Sequence, residues 1–268
     1  MTPTRWLQKN LVLIGGLLVI VYMFVPIFVV VLMSFNKPKS KLIYRFDGFT
    51  LQNWLHPCQD ASMCRAVGRS IEIGLLATVV ATVLGTLMAF ALVRHKFHGR
   101  TAANLVIFLP MASPEIVMGS SLLALFVAGG FGGQLGFFTI LIAHIMFCLS
   151  FVVVTVRARL AGLDNNLEQA AMDLYATESQ TFWRVTFPLV FPGILGAALL
   201  SFSLSFDDFI ITNLNAGNTT TFPMYVWGVA QRGVPMQVNV IGTVMFVVSI
   251  AIVLGAEMNR RRQEKALA

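Results

Sequence analysis

The chain has 268 residues, of which 57% are hydrophobic and 12% are charged, with a net charge of +7 and a mean hydropathy of +0.78. An average soluble domain carries about a quarter charged residues, so this composition excludes a soluble globular protein and indicates an integral membrane protein. The basic excess is not a nucleic-acid signature, because Lys and Arg collect in the cytoplasmic loops of membrane proteins.

Six hydrophobic segments are long enough to cross a bilayer, which takes about 20 helical residues. Four are charge-free runs, and a fifth uncharged stretch, 116–156, is divided by the glycines of GGFGGQLG at 129–136. One transmembrane domain, residues 1–268, is therefore predicted. Its spans cover about 11–35, 70–93, 102–128, 136–156, 188–211 and 235–257.

The basic residues predict the orientation of these spans. With six spans both termini lie on one side, which carries twelve Lys and Arg against seven on the other. The positive-inside rule then places both termini in the cytoplasm. The short loop RHKFHGR at 94–100 contributes most to this assignment.

The cysteines and histidines do not predict a metal site. Cys58 and Cys64 share the first external loop, where they either form a disulfide or remain free thiols. His95 and His98 stand beside Arg94 and Lys96, which is a poor environment for a metal cation.

The polar cytoplasmic loop 157–187 contains two helix-start patterns. Asn165 with Glu168 resembles a capping box, and Thr177 with Gln180 repeats the spacing, so two short helices are predicted, the second running to Pro188. Five apolar residues of the first helix fall on one stripe: Leu167, Ala170, Ala171, Leu174 and Tyr175. Glu168, Gln169 and Asp173 face elsewhere.

This loop is predicted to dock on a protein partner. The alternative is a helix lying on lipid headgroups, but such helices usually carry Lys or Arg on the polar face. Here the polar face carries acids.

The stretch EQAAMDLYA followed by VTFP resembles the EAA loop of permease subunits of ATP-binding-cassette importers, with the pattern E-A-A, three residues, G, nine residues, I-x-L-P. Aligned on Ala170, Ala171 and Pro188, the spacing matches without a gap. The L-P-x-x-x-P-E-I sequence at 109–116 also fits. The segment SFSLSFDDFIIT at 201–212 and AMDL at 171–174 are similar to the polyamine (spermidine/putrescine) branch.

The resemblance implies an all-α, six-helix type I importer permease fold (MetI-like) in the bacterial inner membrane. It implies a non-enzymatic subunit forming half of the pathway for a small, cationic solute such as spermidine or putrescine. Expected partners are a second, different permease subunit, two ATPase subunits, an external substrate-binding protein and the lipid bilayer, but no nucleic acid. ATP and Mg²⁺ would bind the ATPase. No cofactor is expected on this chain, which has no G-x-x-x-x-G-K-[ST] loop.

The resemblance assigns ATPase coupling to eight residues of this chain: Glu168, Gln169, Ala170, Ala171, Asp173, Leu174, Tyr175 and Pro188. Gln169 stands where the family has Glu, so Glu168 is expected to supply the acidic function instead. Tyr175 replaces the family's Gly, which permits a turn that Tyr disfavours. Either this turn uses ordinary helical angles, or the docking surface is altered.

Carboxylates within the spans are candidate substrate contacts, because each costs about 2.5 to 3.5 kcal/mol to insert at the bilayer centre. Asp208 shares a helical stripe with Ser201, Ser205 and Thr212, which predicts one wall of a hydrated pathway with Asp208 as a negative site. Asp207 would orient it or pair with a partner subunit. Alternatively, both acids sit in water at the outer end of the fifth span.

Glu115 follows two prolines, with Ala112 and Gly119 at positions that allow close helix approach. It contacts either substrate or the backbone of a broken helix. Phe206, Tyr225 and Trp227 offer cation-π surfaces or act as interfacial anchors. The predicted pathway set is Asp208, Asp207, Glu115, Ser205, Tyr225 and Trp227.

Three other functions compete with this interpretation. An ion-coupled secondary transporter also buries carboxylates, but it predicts inverted repeats, which the sequence lacks, and leaves the capped loop unexplained. An importer permease for a different small solute is the second. An intramembrane enzyme has no support from an H-E-x-x-H motif or a Ser/His pair at a persuasive spacing.

Overall fold

The computed structural model describes residues 3–40, 45–164 and 166–267. Across these ranges the chain is helical, and its only β-type pairing is an isolated bridge between Asn36 and Phe49. The helices are α1 Pro3–Ser34, α2 Gln52–Leu55, α3 Ala61–Arg94, α4 Arg100–Ala112, α5 Glu115–Ala128, α6 Phe137–Ala161, α7 Asn166–Asp173, α8 Glu178–Thr181, α9 Phe187–Asp207, α10 Ile210–Asn215, α11 Phe222–Ala230 and α12 Met236–Leu267.

Among the residues that the structure describes, five helical segments are long and apolar enough to cross a membrane: Asn10–Ser34, Ala61–Arg94, Phe137–Ala161, Glu178–Asp207 and Met236–Gly255. The segment predicted as a single third span is instead two helices, α4 and α5, bent by 111°. Pro114 explains the break, because a proline forces the preceding residue out of the helical region. Ser113 accordingly has an extended ψ of 139°.

Arg65–Tyr225 form one compact unit, in which α6 is the central helix and packs along α9. Glycines allow the closest approaches. A Cβ on Gly85 of α3 would lie 2.6 Å from Cγ1 of Val152 in α6, and one on Gly193 of α9 would lie 2.6 Å from Cγ of Arg159. Gly119 brings α5 against α10 as its spacing predicted, because a Cβ there would lie 3.2 Å from the Cα of Ile211.

The second unit consists of Met1–Cys64 and Val226–Ala268, with α1 packed along α12. The buried Asn36 organises the chain after α1, since its amide donates to the carbonyl of Arg45 at 2.7 Å and its carbonyl accepts from the amide of Asp47 at 2.9 Å. Cys58 and Cys64 are joined in a disulfide, which resolves the two alternatives left open by the sequence.

Candidate functional site

The predicted two-helix organisation of the coupling loop is present in modified form. The first helix, α7, begins at Asn166, and the expected cap Asn165 lies outside the described residues. The second cap is confirmed: Thr177 Oγ1 accepts from the Gln180 amide at 3.3 Å, and Gln180 Oε1 accepts from the Thr177 amide at 3.0 Å.

The second helix does not end at Pro188 as predicted. After α8 the chain continues through a π-helical segment, Phe182–Thr186, directly into α9. Pro188 therefore lies inside a continuous helical run, as the second residue of α9, where it lacks the amide that would donate to the preceding turn. As a result, the loop is continuous with the fifth span.

Tyr175 ends α7 in a conformation that usually requires glycine. Its φ is +63°, the only positive φ of a non-glycine residue in the described chain. The Ala176 amide donates to the carbonyl of Ala171 at 3.1 Å and the Tyr175 amide to that of Met172 at 2.9 Å, which is a Schellman motif. The alternative of ordinary helical angles is therefore wrong, and the family's turn forms here with tyrosine.

The apolar stripe of α7 is uncovered on this chain. None of the helix residues is buried, and the side chains of Leu174 and Tyr175 are 82% and 96% exposed. Leu167 and Ala170 are also exposed, as are Gln169 and Asp173, whereas Ala171 is half-buried. Contiguous apolar exposure of this kind is typical of a surface that a partner covers.

Glu168 faces the chain's own helices, in contrast to the rest of the loop. Its two carboxylate oxygens accept from both terminal nitrogens of Arg94, and Oε1 also accepts from Thr186 Oγ1 at 2.6 Å. The Arg94 guanidinium, together with the Thr186 hydroxyl, holds the pKa of Glu168 below its ordinary value, although partial burial opposes this. We call these three residues the loop network. The sequence had assigned Arg94 only to membrane topology.

Asp208 does not lie on a continuous helical stripe. α9 ends at Asp207, Asp208 has extended backbone angles (φ −64°, ψ 127°), and α10 begins at Ile210. The Asp208 carboxylate accepts from the backbone amide and the hydroxyl of Thr212, each at 2.8 Å. It therefore caps α10 and is buried. The predicted continuous stripe is wrong, whereas the role of Asp208 as a negative site in the pathway stays a prediction.

His144 completes a buried network that the sequence analysis missed. Its Nδ1 lies 2.7 Å from Ser205 Oγ, and its Nε2 lies 2.9 Å from Thr212 Oγ1 and 3.4 Å from Asp208 Oδ2. These four residues, which we call the buried network, join α6, α9 and α10. The available signal was a histidine inside an apolar span, a position that is expensive unless the side chain is paired.

Of the three carboxylates predicted to line the pathway, Asp207 and Glu115 are exposed, and they lie at the two helix breaks. Asp207 is thus accessible and Asp208 enclosed on this chain, and the pathway roles predicted for the two aspartates stay predictions. Tyr225 is buried, while Trp227 is 59% exposed.

Comparison with known proteins identifies the family. Residues 81–260 match the model of the binding-protein-dependent transport system inner membrane component. The chain belongs to this family. It is a multi-pass inner-membrane component of a transport system that works with a substrate-binding protein, and the ion-coupled carrier is set aside.

Similar proteins extend over almost the whole chain. The spermidine/putrescine transport system permease protein PotC of Haemophilus influenzae is 35% identical over 242 residues, covering 90% of this chain and 93% of that protein. The PotC of Escherichia coli K12 is 34% identical over 254 residues, covering 94% and 95%. The putrescine transport system permease protein PotI of the same strain is 36% identical over 230 residues, covering 84% and 81%.

The fold has a counterpart among solved structures. A chain of a bacterial ABC transporter that imports the acidic polysaccharide alginate superimposes with a TM-score of 0.70 at 16% identity, covering 96% of this chain and 98% of that one. At this identity the match shows a shared fold. The type I importer permease fold is thereby confirmed.

Proposed function

We propose that this chain is a polyamine permease subunit, which forms half of a pathway for spermidine or putrescine. The supporting observation is the pair of accessible carboxylates at two helix breaks, Glu115 and Asp207. Accessible acids inside membrane spans suit a solute that carries several ammonium groups. The relatives named for spermidine and putrescine transport support the same substrate class.

We further propose that the chain works with a second, different permease subunit, two ATPase subunits and an external binding protein. ATP and Mg²⁺ would bind to the ATPases. The exposed apolar surface of α7, with Leu174 and Tyr175 at its C-terminal end, would dock on one of the ATPase subunits. Closure of the ATPases would then switch the spans between inward-open and outward-open states as a rigid-body change.

The substrate assignment is tested by uptake of labelled spermidine and putrescine into vesicles that contain the complete complex and its binding protein. Asp207→Asn and Glu115→Gln should each reduce uptake about tenfold or more, since hydrogen bonds to charged groups contribute roughly 1.5 to 3 kcal/mol. Glu72→Gln is the matched control, because Glu72 is an exposed acid of α3 already paired with Arg69 at 2.8 Å.

Two results would contradict the proposal. If both Asp207→Asn and Glu115→Gln take up polyamine at the wild-type rate, these two carboxylates do not belong to the substrate pathway. If a different solute stimulates ATP hydrolysis and neither polyamine does, the permease serves another substrate. Dependence on the ATPase is tested separately, by copurification and by loss of uptake when ATP is depleted.

A further inference from the structure

The loop network joins three elements that are distant in sequence. Arg94 is the last residue of α3, Glu168 lies in the first turn of α7, and Thr186 ends the π-helical segment that leads into α9. A single carboxylate accepts hydrogen bonds from both of the other residues. One side chain of α7 thus links this helix to the end of α3 and to the segment that leads into α9.

This connection is not a by-product of close packing. A cleft of about 400 Å³ lies between α3 and the loop, lined by Leu87, Phe90 and Arg94 on one side and by Glu168, Met172 and Phe182 on the other. The ion pair bridges the two sides at this cleft. Since the cleft separates α7 from α3, the ion pair is the contact that holds these two helices at a fixed distance.

The remaining side chains of α7 provide no substitute. Among the residues that the structure describes, Glu168 is the only one in α7 whose side chain is hydrogen-bonded or ion-paired to another helix. Thr186 is buried and therefore a fixed anchor, while Arg94 presents both terminal nitrogens in the bidentate geometry that restrains orientation as well as distance.

We propose that Glu168 is a positioning residue for energy coupling, which makes α7 move together with the end of α3 and the start of α9. It transmits displacement of the loop to the spans and does not itself contact the ATPase. This role rests on the proposed docking of the loop. Without the network, the ATPase would still bind and close, but α7 would move on its own.

The test measures uptake and ATP hydrolysis in the same vesicles, using binding protein loaded with labelled spermidine or putrescine. Glu168→Gln should retain the ATPase at wild-type level and hydrolyse ATP, while solute transported per ATP falls about fivefold or more, the lower end of typical coupling between sites. Thr186→Val, which preserves volume, should give a smaller decrease. Glu72→Gln breaks an ion pair within one helix and should leave the ratio unchanged.

A second measurement does not depend on transport. Spin labels at Lys96 and Asn166, which flank the ion pair on exposed positions, report the distance between the end of α3 and α7. The wild type should show one narrow distance distribution with and without ATP, and Glu168→Gln a broad one. Charge reversal, Arg94→Glu with Glu168→Arg, should narrow the distribution again.

Two outcomes overturn the positioning role. The first is an unchanged transport ratio together with an unchanged distance distribution in Glu168→Gln. The second is loss of ATPase binding in that variant, because Glu168 would then be a docking contact. Failure of the proposed function is a distinct result, in which the wild type itself retains no ATPase or imports solute without ATP.

Discussion

The buried network and the loop network have the same design in two different environments. In each, one carboxylate links side chains of other elements. Asp208 accepts hydrogen bonds from Thr212 and lies 3.4 Å from Nε2 of His144, while Glu168 accepts hydrogen bonds from Arg94 and Thr186. The side chains of Asp208 and His144 are only 3% and 2% exposed. Those of Glu168 and Arg94 are 19% and 34% exposed.

This difference in exposure predicts different roles. Inside the protein a hydrogen bond is strong, and a polar group left without one is costly. The buried network therefore fixes the break between α9 and α10 and, with it, the exposed position of the adjacent Asp207. Near water an ion pair adds little to stability, so the loop network can be remade during a cycle and is suited to positioning.

The largest expected effect is that of His144→Leu. This change leaves Ser205, Asp208 and Thr212 without a shared partner, and each buried group left unsatisfied costs about 1 to 3 kcal/mol. A thermal unfolding curve of the detergent-solubilised protein should show a marked loss of stability. Phe138→Leu, on an exposed position of the same helix, is the control. An unchanged midpoint for His144→Leu would contradict the structural role of the network.

Thr212→Val should have a smaller effect. The substitution keeps the volume and the backbone amide that binds Asp208, but it removes the hydroxyl that lies 2.8 Å from Asp208 Oδ2. The expected loss is about 1.5 to 3 kcal/mol, the range for a hydrogen bond to a charged group. A double-mutant cycle with His144→Leu should show strong non-additivity, and simple addition of the two losses would mean that these residues act independently.

Glu168→Gln should lower stability by less than about 1 kcal/mol at neutral pH, as expected for a partly exposed ion pair. Because the pKa of Glu168 is lowered on folding from its ordinary value of 4.5, the wild-type contribution is present above pH 4.5 and is lost as the pH falls below it. The difference in unfolding free energy between wild type and variant, measured from pH 7 to pH 4, should shrink. A difference in unfolding free energy that grows toward low pH would mean that folding does not lower the pKa of Glu168.

The features that could be predicted from sequence depend on local patterns. Charge-free runs locate the spans because crossing a bilayer requires a minimum apolar length. The Thr177 and Gln180 cap is confirmed because both partners lie three residues apart. The close approach at Gly119 follows from its missing side chain, whichever helix packs there.

The missed features depend on contacts between distant residues. Placing Asp208 on a stripe with Ser205 assumed a continuous helix, but the chain leaves helical geometry at Asp208 itself. Its partner His144 is 64 residues away, and nothing in the local sequence connects them. Likewise, Arg94 and Glu168 are 74 residues apart. Membrane topology explains Arg94 and a helix cap explains Glu168, so neither residue indicates the other as a partner. Tertiary structure decides such pairings.

The smallest expected effect is that of Tyr175→Gly, and it should be stabilising. The left-handed conformation costs an L-residue about 1 to 2 kcal/mol, while glycine adds roughly 0.5 to 1 kcal/mol of unfolded-state entropy, so the net gain lies between about 0 and 1.5 kcal/mol. Hydrogen exchange of the Ala176 amide, which closes the Schellman motif, should become slower.

Tyr175→Ala keeps the Cβ and the strain, so it should not slow this exchange. If alanine stabilises the turn as much as glycine does, the exposed ring rather than the backbone conformation limits its stability. If Tyr175→Gly stabilises the turn but weakens ATPase binding, the strained conformation of Tyr175 serves docking. His144 and Asp208 have no such conflict between stability and docking, because they are enclosed within the chain.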